Sequence, residues 1–194
     1  MIRKCAEKIV FRQITRGILE ENEKATYVFG YQLLMGKILS VILMLFIAGV
    51  TGTFWEMTLF MSAFIILRQY AGGFHFEKAE VCIMFSALLS VAIGIGFKHW
   101  FYSMPLHVWL GIEIISAIFI WLLAPMDTKN KRFDEIERRV YARRTKILLL
   151  MEFSIFVITI FFGIQMGSVI IAIAHLVIMV GLIASLIQKF LNIG

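Results

Sequence analysis

A chain of 194 residues in which 60% are hydrophobic, only 16% are charged and mean hydropathy reaches +0.87 holds more apolar side chain than a water-soluble core of that size can bury, which excludes an ordinary soluble domain. The net charge of +6 does not point to nucleic acid, because the basic residues fall between apolar runs, where they encode membrane topology, and no aromatic-plus-basic constellation accompanies them. Two cysteines, Cys5 and Cys82, are too few for a disulfide framework and lack the paired spacing of a structural zinc site, while only two prolines interrupt the chain, so long helices rather than a barrel of short strands are expected.

The expected fold is all-α: one polytopic membrane helix bundle forming a single domain over residues 1–194. Residues 1–24 place Ile2, Ala6, Ile9, Val10, Ile14, Gly17 and Ile18 at helical spacing, with Arg3, Lys4, Lys8, Arg12 and Arg16 on the remaining face. This is the pattern of an amphipathic helix lying on an anionic membrane surface. A signal peptide is not expected here, since no apolar run follows the early charges and no small-residue cleavage site is visible. Apolar runs then follow at Tyr31–Val50, Thr53–Leu67, Val81–Phe97, Leu106–Ala124, Ile147–Gly163 and Ser168–Ile187, giving six expected crossings over residues 31–187. Lysine and arginine crowd the alternate connections, around Lys24, Arg68 and Lys78, the loop 126–146 and Lys189, and the opposite side receives only Lys98. The positive-inside rule then puts both termini in the cytoplasm, together with the connections after the second and fourth spans. Trp100, Phe101, Tyr102 and Trp109 are expected at the outer interface as an aromatic belt.

One cytoplasmic junction, Arg68-Gln69-Tyr70-Ala71-Gly72-Gly73-Phe74-His75-Phe76-Glu77-Lys78-Ala79-Glu80-Val81-Cys82, gathers an arginine, a histidine and a cysteine around two glycines. On one continuous helix His75 and Cys82 would sit two turns apart, about 10.5 Å along the axis at ~1.5 Å per residue, beyond hydrogen-bond reach. The helix must break, and Gly72-Gly73 can take the strained backbone that a break requires. Cys82 in the first turns of the next helix then feels a helix dipole and a neighbouring imidazole, two influences that favour thiolate. A cysteine nucleophile with a histidine base is one reading of the pair. The other is a small buried thiol beside an interfacial histidine. Two ligands fall short of a zinc site, so no metal and no cofactor are expected.

The stretch from Arg68 to Cys82, with Gly73 two before His75 and Cys82 seven after it, resembles the signature of the accessory gene regulator B family of Gram-positive bacteria. Ala124-Pro125-Met126-Asp127, followed by Thr128-Lys129-Asn130-Lys131, resembles its second conserved stretch. The resemblance implies a cell-membrane cysteine endopeptidase that removes the C-terminal part of a short quorum-sensing propeptide and cyclises the product to a thiolactone or lactone. It implies Cys82 as nucleophile, His75 as base, Arg68 and Gly73 as positions needed for activity, and Lys129 and Lys131 as part of a basic cytoplasmic loop. That loop has a proline after its lysines in the family, where this chain has Arg132-Phe133. The partners implied are the propeptide, with an acidic C-terminal portion, and membrane lipid; a homodimer is the expected assembly. A small transporter or channel subunit is the alternative, with Gly72-Gly73 as the break in a discontinuous helix, although no pseudo-symmetric halves are evident.

Other residues have two readings each. Arg68 is a snorkelling anchor or a partner for a propeptide carboxylate or an oxyanion, and the resemblance favours the second. Backbone N–H groups near Cys82 and the Gln69 amide are further candidate oxyanion donors. Glu77 and Glu80 are solvated loop carboxylates or orienters of His75. Among ionisable residues in or near the spans, Glu56 and Glu152 are expected to reach water at span ends, Lys37 and Glu113 to pair across the bundle or a dimer interface, and His175 to be a hydrogen-bonded packing residue. The basic run ending at Lys146 is a lipid anchor or an attractor for an acidic propeptide.

Overall fold

The computed structural model describes residues 2–74, 79–127 and 133–191. Among these residues the chain forms seven α-helices: α1 (Ile2–Thr15), α2 (Lys24–Thr51), α3 (Phe54–Ala71), α4 (Ala79–His99), α5 (Leu106–Leu123), α6 (Glu135–Phe161) and α7 (Gln165–Phe190). Among the described residues four stretches are long and apolar enough to cross a membrane: Glu21–Thr51, Glu80–His99, Leu106–Leu123 and Gln165–Phe190. The two expected spans that fall outside this set are those on α3 and α6. Glu56 and Arg68 lie within α3, and the first half of α6 carries most of the basic run.

α1 buries Ala6 and Val10, one turn apart, against α2, leaves Arg3, Lys4 and Lys8 exposed, and donates a hydrogen bond from Gln13 to the Tyr31 hydroxyl at 2.7 Å. It is shorter than its apolar pattern suggests. Gly17 adopts φ +70 and Ile18 N–H closes back on Gln13 O at 3.0 Å, a left-handed helix stop that places Gly17 and Ile18 beyond the helix. α6 is longer than its apolar run. Asp134 caps it by accepting from Glu137 N–H at 2.6 Å, so the expected loop becomes helix from Glu135 and its arginines ride helical turns.

α7 is the central helix and packs on α5, α3 and α6, with Ser168 and Val169 through Ala174 and His175 all buried. A helix that is apolar all round needs neighbours all round. Met57 and Phe60 of α3 and Phe156 of α6 share one core with Val169 and Ala172 of α7; Leu67, Leu149, Ile178 and Leu182 share a second core further along. α3 therefore runs beside α7 in the same direction, and α6 runs beside it in the opposite one. α2 and α4 pack together on the flank.

At the α4–α5 connection the aromatic residues turn inward. Trp109 is 2% exposed and donates from Nε1 to Phe101 O at 3.1 Å, while the Phe101 ring meets Phe97 and Trp109 edge-on. A side chain at Gly96 would collide with the Phe101 ring, so the absence of one makes room for this plug. Of the expected belt, Trp100 is the residue that stays exposed. Burial, with the Glu56 carboxylate adding to it, pushes the Tyr102 phenol up to about 12.

Of the ionisable residues inside the bundle, His175 is the hydrogen-bonded packing residue expected, while Glu152 and Lys37 depart from expectation. His175 is fully buried between Glu113 of α5, 2.8 and 3.0 Å from Nδ1, and Glu152 of α6, 2.8 Å from Nε2. Glu152 does not reach water, because α6 extends far enough to carry it into the bundle. Glu113 pairs with His175 rather than with Lys37, which is exposed on α2.

Candidate functional site

The site grows from the end of α3. Arg68 stands in its last turn, and Gly72 stops the helix at φ +70 with its N–H bonded to Arg68 O at 3.2 Å. The next residue, Gly73, has φ +111, a backbone that L-residues adopt only under strain. The two glycines turn the chain so that Phe74 N–H donates to Gly181 O of α7 at 3.1 Å while Phe74 O accepts from Arg68 Nη2 at 2.6 Å. Arg68 thus reaches back over the turn it begins. Its guanidinium occupies the place where a Cβ on Gly73 would stand, and a Cβ on Gly181 would lie 3.8 Å from Arg68 Cζ. Gly73 makes room for the arginine, and Gly181 lies against it at ordinary contact distance.

The segment after α5 closes the same corner. Met126 N–H donates to Ala71 O at 3.1 Å, and a Cβ on Gly72 would collide with the Met126 carbonyl oxygen. The two stretches that carry the family resemblance are therefore bonded to each other, backbone to backbone. Asp127 accepts from Phe133 N–H at 3.3 Å and forms an ion pair with Arg138. The Tyr141 ring lies 4.7 Å from Phe133 and 5.7 Å from Tyr70, and Arg144 stands over the Tyr70 ring. The start of α6 is in this way laid on the end of α3.

Cys82 sits in the first turn of α4 as a free, half-buried thiol within electrostatic reach of the Arg68 guanidinium. Arg68 and Gly73 are in contact, with Cys82 within electrostatic reach of Arg68; Gln69, one residue and about 100° round the helix from Arg68, is exposed. His75, Glu77, Lys129 and Lys131 lie outside the described residues. Gly181 and Met126 contribute to the corner without having been singled out as site residues. Their signal was a lone glycine in a membrane span and the residue after an Ala-Pro pair. No group of three or more potential metal ligands is found among the described residues. Chemically, the corner offers a thiol within electrostatic reach of a cation whose fork is half used among the described residues.

An all-helical protein with several membrane-length apolar helices, and a thiol, an arginine and a glycine turn gathered at one end of α3, defines a multi-pass membrane protein with a candidate thiol site. The family model described as Accessory gene regulator B matches residues 2–191, and the chain belongs to that family, which works in the agr quorum-sensing system. It is similar to two AgrB-like proteins of Clostridium perfringens. The one numbered 2, of strain 13 / Type A, is 28% identical over 154 residues, 75% of this chain and 72% of the relative. The other, of strain SM101 / Type A, is 27% identical over the same coverage. No solved structure matches the chain.

Proposed function

We propose that this chain is a six-span membrane cysteine endopeptidase, a single domain with a basic interfacial α1, which cuts a quorum-sensing propeptide and cyclises the product. Cys82 is the nucleophile and His75 its base. The Cys82 thiolate attacks the scissile carbonyl, His75 passes a proton to the leaving amine, and the acyl group is left on sulfur as a thioester. A Cys or Ser side chain of the bound peptide then attacks that thioester and releases Cys82. The observation that carries this reading is the meeting, in a chain of this family, of Cys82, the Arg68–Gly73 turn and the Met126 segment at one corner. Both termini and this corner are cytoplasmic, where the basic residues on Lys129, Lys131 and the start of α6 attract an acidic propeptide.

The test is processing of the propeptide encoded beside this chain by purified protein in lipid vesicles. Cys82→Ala, Cys82→Ser and His75→Ala each abolish cutting while inserting normally, and Cys5→Ala leaves it intact. Full cutting by Cys82→Ala sinks the assignment.

A further inference from the structure

The guanidinium of Arg68 has two ends, and only one of them is engaged. Nη2 donates to Phe74 O at 2.6 Å, whereas Nη1 is buried and has no hydrogen-bond partner among the described residues. A buried charged donor left without an acceptor is costly, of order 1–3 kcal/mol or more, and this one is left able to receive an acceptor from a bound molecule. The seat is specific. Gly73 leaves open the volume that Nη1 occupies, its φ of +111 suits no other residue well, and Gly181 lines the seat at van der Waals distance. The guanidinium is thus anchored through Nη2 to a backbone carbonyl with Nη1 in the space a bare Gly73 leaves, a positioning that suits a donor to a developing charge.

Resting on the peptidase reading above, we propose that Arg68 is a catalytic residue whose Nη1 donates to the oxyanion formed when Cys82 attacks the scissile carbonyl. As the S–C bond forms, the carbonyl π pair moves to oxygen, and negative charge passes from sulfur to oxygen, where Nη1 donates to it. When the intermediate collapses, the pair returns to re-form C=O, the C–N bond breaks and the amine leaves with the proton from His75. The same donor serves the second addition, when the peptide nucleophile attacks the thioester. Lysine cannot substitute, because one ammonium on a flexible stem cannot both hold Phe74 O and aim a second donor from a fixed fork. The fork also separates this role from capture of a propeptide carboxylate, which uses two parallel donors; one is already taken here.

Processing kinetics and the affinity of a peptide aldehyde are measured together in lipid vesicles on a Cys5→Ser background. The aldehyde ends at the scissile carbonyl and forms a hemithioacetal with Cys82, whose oxygen stands where the oxyanion would. Arg68→Lys and Arg68→Gln lower kcat about 10²- to 10³-fold, the size of effect found on removing one oxyanion donor, with KM within about threefold. Aldehyde affinity falls in parallel with kcat/KM, and ethylguanidinium restores part of the rate of Arg68→Ala. Alkylation of Cys82 by iodoacetamide, which forms no oxyanion, falls far less. Loss of processing with aldehyde affinity unchanged overturns the proposal, as does full activity in Arg68→Gln. Where the variants fail to insert, wild-type protein labelled with ¹⁵N-arginine supplies the readout. One guanidinium proton moves downfield on aldehyde binding, and no movement overturns the role. Cys82→Ala is run alongside; if that variant still cuts, it is the peptidase reading that fails.

Discussion

Gly72 and Gly73 are adjacent and both have positive φ, yet different neighbours require them. A methyl at Gly72 meets the Met126 backbone, which is tied to Ala71 and cannot move alone; a methyl at Gly73 meets the end of the Arg68 side chain, which can swing away. Gly72→Ala should therefore lower thermal stability in detergent, through clash and a backbone conformation worth about 1–3 kcal/mol of strain. Gly73→Ala should cost a similar strain but displace Arg68 as well, so processing falls at least tenfold more than in Gly72→Ala when both are assayed as folded protein. Equal losses in the two variants would mean that Arg68 has no part in the chemistry. The glycine pair, the helix break and the candidate thiol were legible in the sequence, because φ > 0 and helix-start chemistry are local properties. The Gly181 seat was not, since nothing local marks which glycine of a membrane span will face an arginine so far away in the chain.

At the scale of elements, α5, α6 and α7 are joined by the Glu113–His175–Glu152 cluster. Each ring nitrogen of His175 faces a carboxylate, and each of those hydrogen bonds needs one proton, so the three side chains share two protons and carry one net negative charge wherever the protons reside. Removing the histidine alone leaves two buried carboxylates facing a hole. His175→Leu should destabilise the bundle by about 3–5 kcal/mol, whereas the triple change His175→Leu, Glu113→Met, Glu152→Leu should recover most of that loss. Thermal unfolding in detergent decides it: a triple variant less stable than His175→Leu would contradict the account. The apolar runs located six of the seven helices to within a few residues at most ends, because an apolar stretch of membrane length has little choice but to be helical. They misplaced Glu152 because α6 starts twelve residues before its apolar run, at the Asp134 cap. Asp134 and Glu137 stand at capping spacing, a signal hidden by the basic residues around it.

For the whole molecule the open number is that of the crossings, and it decides on which side Cys82 works. α3 has 18 residues, about 27 Å at ~1.5 Å per residue, close to the ~30 Å of a hydrocarbon core. It also lies along α7, sharing the Met57–Val169 core at one end and bonding Phe74 to Gly181 at the other. A helix packed along a membrane-crossing neighbour over that length supports a crossing of its own, in spite of Glu56 and Arg68. α6, packed antiparallel on the same helix through Phe156 and Leu149, is argued the same way. The two counts give opposite sidedness in the middle of the chain. With six crossings and a cytoplasmic N-terminus, Ser103 is outside and Asn130 inside. With only α2, α4, α5 and α7 crossing, Ser103 is inside, Asn130 outside, and Cys82 faces the exterior. Single cysteines at Ser103 and Asn130, in a chain lacking Cys5 and Cys82, are exposed in intact cells to a membrane-impermeant maleimide. Six crossings require labelling at Ser103 and protection at Asn130 until the cells are opened; the reverse pattern establishes four and takes the thiol away from a cytoplasmic propeptide. Positions 51 and 167 lie outside under either count and serve as controls, since α2 leaves the cytoplasm and α7 returns to it in both.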